Sequence, residues 1–134
     1  LCVIDLDTVM PSFIFSDYGD FLRTAANTVA EDEADFSKIE FRHDIFRAFT
    51  EGYLSSARSF LTPLEIQMLP FAVKLFPYMQ SVRFLWDYLN GDEYWKVKYS
   101  KHNLVRALNQ FELVKRIEQA LPEITAFIEA KLAE

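Results

Sequence analysis

Apolar residues recur on the period of an α-helix along most of this chain, with a different pattern only at the start and in one short stretch near residue 40. Cys2, Val3 and Ile4 run straight into Asp5-Leu6-Asp7, which reads as a short buried strand ending in two carboxylates that share a side. Pro11 to Ser16 is a loop, since Pro11 blocks extension of the strand. A first helix is expected from Asp17, with Ser16 as the rival cap, to about Thr28. Asp20 would sit in its first turn, and Leu22, Ala25, Ala26 and Val29 would form its core stripe. Glu31-Asp32-Glu33 reads as a solvated acidic run that ends it. Residues 36–41 alternate apolar and polar with period two, which predicts an extended segment or short strand.

A second helix is expected over about Arg42 to Ser59, with Ile45, Phe46, Phe49, Tyr53 and Leu54 on one face and Gly52 marking a close helix crossing. Thr62-Pro63-Leu64-Glu65 is a capping box with proline at the first helical position. The third helix then runs to Leu89 or Asn90, kinked or broken at Pro70 and Pro77 and stopped by Gly91. It is apolar on most sides, as a helix at the centre of a domain would be. Asp92 to Ser100 is a loop carrying Tyr94, Trp95 and Tyr99. A last long helix starts at Ser100 or Asn103 and reaches about Ala120, and Pro122 opens or kinks a final segment. The fold class is therefore mainly α, one short strand followed by helices, without the strand–helix alternation that a parallel sheet needs.

Composition narrows the function classes. The chain has 134 residues, 51% of them hydrophobic, with 3 glycines and 5 prolines, enough for one domain with a real core. A net charge of -6 argues against nucleic-acid binding. No apolar run approaches membrane-spanning length. A single cysteine excludes an internal disulfide framework and fits a reducing, cytoplasmic compartment. The chain begins at Leu1 inside the expected strand, without the strand's partners, so it reads as the C-terminal piece of a longer protein. An unpaired edge at Cys2–Leu6 then predicts self-association.

The candidate chemistry is concentrated at the start. Asp5 and Asp7, projected together from a strand end, repel each other unless a cation holds them, and hard carboxylate oxygens suit Mg²⁺. The plainer reading is a pair of solvated turn residues. Asp5, Asp7 and Val9 also fit the first motif of haloacid-dehalogenase-like phosphatases. That family needs a doubly wound sheet, which the helical remainder does not build.

Ile4 to Pro11 followed by Asp17-Tyr18-Gly19-Asp20-Phe21-Leu22-Arg23 resembles the C-terminal half of the aminoglycoside phosphotransferase / choline kinase superfamily, and within it the N-acetylhexosamine 1-kinases. Ala30-Glu31-Asp32-Glu33, Thr62 to Glu65 and Arg83 to Tyr94 extend the resemblance through about Val114. Ser12 stands where the family usually has glycine, and Tyr18 where phenylalanine is common. The resemblance implies the helical C-terminal subdomain of a protein-kinase-like fold. The N-lobe that binds ATP and the catalytic loop with the general base would both lie upstream, so this chain holds no catalytic residue itself. Asp5 is then a Mg²⁺ ligand, and Asp7 either a secondary metal contact or an acid that supports the ligands without touching the metal. Arg83 and Tyr94 match positions that contact the hexosamine, Arg83 being expected buried, with an ion pair to Asp87 or Asp92 as the structural alternative. Trp95 and Tyr99 stack on sugar or simply pack. Asp17 is read as a cap, and Asp20 with Arg23 as a structural pair. The implied reaction is transfer of the ATP γ-phosphate to the anomeric hydroxyl of an N-acetylhexosamine. The alternatives are a choline, homoserine or aminoglycoside kinase, or a non-catalytic helical interaction domain.

Overall fold

A computed structural model describes residues 2, 4, 6 and 9–133. The strand expected around Cys2–Leu6 falls largely outside them. From Phe15 onward the architecture is helical: α1 (Phe15–Ala25), α2 (His43–Ala57), α3 (Pro63–Gln67), α4 (Leu69–Leu89) and α5 (His102–Ala133). The period-two stretch is not a strand. Phe36–Lys38 form one turn of 3-10 helix, capped when the Asp35 carboxylate accepts from the Ser37 backbone. Only Phe41 bridges to Asn27. Alternation over so few residues finds no neighbouring strand among the described residues, so the local Asx turn wins.

α1 starts earlier than its polar residues suggest. Its N-cap is Ile14, with no side-chain cap, so neither Ser16 nor Asp17 caps it. Asp17, not Asp20, is the acid of the first turn. The expected third helix is two. The Thr62–Glu65 capping box forms in full and starts α3, which ends at Met68, and Pro70 then stands in the first turn of α4. Proline costs nothing there because that N–H has no intrahelical partner. Pro77 remains inside α4 and Pro122 inside α5. Residue 122 is thus not a helix boundary. Pro122 leaves the Glu118 carbonyl without its helical donor, and both residues are exposed, on the solvent side of the helix where that loss costs least. α4 ends as Gly91 predicts. Gly91 takes a φ of +92° and donates to the Tyr88 carbonyl, while Asp92 donates to that of Asp87. These are the two bonds of a Schellman cap.

The core lies where α4 crosses α5 and α1. Leu113, Ile117, Ile124 and Ile128 of α5 meet Leu69, Ala72 and Val73 of α4, all essentially inaccessible. α4 is central but not sheathed. Phe71, Tyr78, Val82, Leu85 and Leu89 follow each other at helical spacing and stay exposed.

The close crossing is at Gly19, not Gly52. A Cβ on Gly19 would lie 2.3 Å from Phe76 Cδ2 and 2.7 Å from the Ala72 carbonyl oxygen, so only glycine lets α1 settle on α4. Nothing lies within 4 Å of a Cβ on Gly52. Gly52→Ala should therefore raise stability by roughly 0.5–1 kcal/mol through helix propensity alone, read as a higher urea midpoint at unchanged slope.

Candidate functional site

A cleft of about 700 Å³ opens between α1 and α4. From α1 it takes Ser16, Asp17, Asp20, Phe21 and Arg23, and from α4 it takes Phe76, Met79, Gln80, Arg83 and Phe84. Both sets recur at three- and four-residue steps, so each is one helical face. Glu31 and Trp95 close the ends from loops. The Gly19–Phe76 approach sets how near the two walls come.

The charges divide into paired and unpaired. Arg23 Nε donates to Asp20 Oδ1 at 2.8 Å, and its Nη1 donates to Glu31 Oε2 at 3.2 Å, so the expected Asp20–Arg23 pair is present and extended by a second acid. Arg83 behaves otherwise. It is exposed rather than buried, and among the described residues no carboxylate lies within ion-pairing distance of it. Its guanidinium lies 5.1 Å from the Trp95 ring, and Nη1 donates weakly to Gln80 Oε1 at 3.4 Å. Asp17 is also exposed and unneutralised in the cleft. Its charge adds to burial, the larger cause, in pushing up the Tyr53 phenol. Tyr18, buried behind α1 and bonded to Thr50 at 2.6 Å, is held well above the ordinary phenol range by burial.

The two acids proposed above as partners of Arg83 are engaged elsewhere. Asp87 is fully buried and accepts from the backbone N–H groups of Tyr94 and Trp95 and from Asn103 Nδ2, each at 2.9 Å. Asp92 accepts from the same Asn103 amide. Asp87 lies in the run Phe84-Leu85-Trp86-Asp87, and a lone acid among apolar residues was the available signal for a buried acceptor. Tyr94 does not line the cleft. It is 68% exposed and packs edge-on against Trp95 at 4.8 Å. Tyr99 packs against His102. Asp5 and Asp7 lie outside the described residues, and among those described no group of three or more His, Cys, Asp or Glu converges as a metal site would.

The acidic run is not a free solvated face. Glu31 meets Arg23 and Arg106, and Glu33 meets Lys38. Asn109 donates to the carbonyls of Ala30 and Glu33. Asp32 accepts from Lys98 Nζ at 2.8 Å and faces His102 Nε2 at 3.4 Å. The Lys98 backbone N–H donates to His102 Nδ1, which assigns the ring proton to Nε2. The Lys98 hydrogen bond is the main cause that holds the Asp32 carboxyl below its ordinary 3.8. A depressed folded value stabilises fully above 3.8 and is lost as pH falls through the folded value. Asp32→Asn should thus lower the urea midpoint near neutrality, and the gap to wild type should close in progressively acidic buffers.

No protein-family model matches the chain.

Proposed function

We propose that this chain is the helical, substrate-binding part of a phosphotransferase of the aminoglycoside phosphotransferase / choline kinase type, with a protein-kinase-like fold, and that the α1–α4 cleft takes an N-acetylhexosamine for phosphorylation at the anomeric hydroxyl. The observation that carries the reading is Arg83, a guanidinium without a carboxylate partner among the described residues, set against an indole in a cleft that also offers Asp17, which has no ion pair among them. A sugar presents hydroxyls and an amide carbonyl to donors and acceptors of this kind and an apolar ring face to Trp95. In phosphoryl transfer the protein mainly positions groups and offsets charge. By the resemblance, Asp5 with Asp7 would hold Mg²⁺ and the partner lobe would supply ATP and the base.

A second reading keeps the fold and changes the substrate. Asp17, Asp20 and Glu31 give the cleft an acidic side, which favours a cationic alcohol of the choline or aminoglycoside type. Titration of the 134-residue chain with N-acetylglucosamine, N-acetylgalactosamine and choline, followed by calorimetry, separates the two. Heat with the acetylated sugars supports the first reading, and heat with choline alone replaces it with the second. The chain has no H-x-D-x-x-x-x-N run, so it should turn over no ATP above an Asp5→Ala control, because a base must reach the reacting hydroxyl.

A further inference from the structure

Asp87 is a buried carboxylate with no cation. Among the described residues no Lys, Arg or His comes within ion-pairing distance of it, and an isolated buried charge is costly unless hydrogen bonds replace its hydration. Here three donors do so. Oδ1 accepts from the Tyr94 N–H, and Oδ2 accepts from the Trp95 N–H and the Asn103 amide. The two backbone donors belong to successive residues of an irregular loop, so the carboxylate grips the chain at the point where the Trp95 side chain leaves it. Asn103 is itself oriented. Arg106 Nη1 donates to its Oδ1 at 3.2 Å, which turns Nδ2 toward Asp87 and Asp92. Arg106 also meets Glu31, the cleft's other loop-borne end.

We infer that Asp87 is a positioning residue: its carboxylate, braced by Asn103, fixes the Trp95 indole against Arg83 and so sets the ligand-facing wall of the α1–α4 cleft. Asp87 touches no ligand in this arrangement and acts through the loop backbone alone. The part of the proposal that concerns ligand affinity rests on the hexosamine reading of the cleft. The part that concerns Trp95 does not.

The test uses Trp86→Phe, which leaves Trp95 as the single reporter, since the chain has two tryptophans. In Asp87→Asn, whichever way the amide turns, an NH₂ group meets at least one of the donors the carboxylate now accepts from. Trp95 emission should then shift to the red and acrylamide quenching should increase, with the helical circular dichroism unchanged. Binding of N-acetylhexosamine should weaken by about tenfold. Unchanged emission and quenching in a folded Asp87→Asn protein overturns the proposal. If Trp95 moves but the sugar binds as before, the positioning role stands and the hexosamine reading of the cleft fails. If Asp87→Asn does not fold, Asn103→Ala takes its place: it removes the brace but leaves both backbone bonds, so a smaller red shift and a smaller rise in quenching are expected, and no change in either overturns the proposal. Amide exchange of the unaltered protein is the independent check. The Tyr94 and Trp95 N–H groups should exchange far more slowly than their loop neighbours, and rapid exchange at both sinks the idea.

Discussion

Gly19→Ala should destabilise the protein by about 2 kcal/mol, a fall in melting temperature of roughly 6 °C. Alanine is ordinarily the better helix former by about 1 kcal/mol, so the sign of the change is itself informative. The added methyl would stand 2.7 Å from the Ala72 carbonyl oxygen and 2.3 Å from the Phe76 ring. Phe76 can turn, but the carbonyl belongs to the backbone of α4 and moves only if the helix does. The cost is therefore separation of α1 from α4, with lost burial of Tyr18 and Leu22 beside it. Because Phe76 lines the cleft, ligand affinity should fall along with stability. Paired calorimetric scans of Gly19→Ala and Gly52→Ala give the measurement, with opposite shifts expected. A melting temperature for Gly19→Ala at or above that of the unaltered protein would show that the crossing is looser than described.

Arg83→Ala, in the proposed two-lobed enzyme, should lower kcat/KM for the hexosamine by about 30- to 900-fold, the loss of roughly 2–4 kcal/mol expected for hydrogen bonds from a charged group. KM for ATP should hardly change, since the proposed nucleotide site lies in the other lobe. Stability should stay within about 0.5 kcal/mol, because Arg83 is exposed and no ion pair among the described residues is broken. That separation of kinetics from stability is what an Arg83–Asp87 ion pair would have prevented. Arg83→Lys should fail nearly as badly, because an ammonium keeps the charge and loses both the fork and the stacking on Trp95. Normal hexosamine kinetics in a stable Arg83→Ala enzyme would end the sugar-site reading.

Local rules were sufficient wherever one residue's own geometry decides the outcome. The Thr62–Glu65 capping box, the Gly91 stop and the apolar face of α2 could all be read from the sequence, since each depends on residues within a turn or two. So could the Asp20–Arg23 pair, three residues apart on one helix. The mainly helical class followed from the period of the apolar residues and from the lack of alternating strands.

What tertiary structure alone decided was which partners long-range packing supplies. Gly19 and Gly52 look alike in sequence, and only the approach of α4 makes one indispensable and the other replaceable. Residues 36–41 have the period of a strand but, among the described residues, no sheet to join. Pro122 reads as a boundary or a kink, and α5 continues through it, because its buried face is held on both sides of the proline by Ile117, Ile124 and Ile128. The acids divided the same way. Glu31, Asp32 and Asp87 differ little as letters. Their roles come from Arg23, Lys98 and the Trp95 backbone; Lys98 is brought in from far along the chain and the other two lie across a loop, and none of these separations leaves a periodic trace in a sequence.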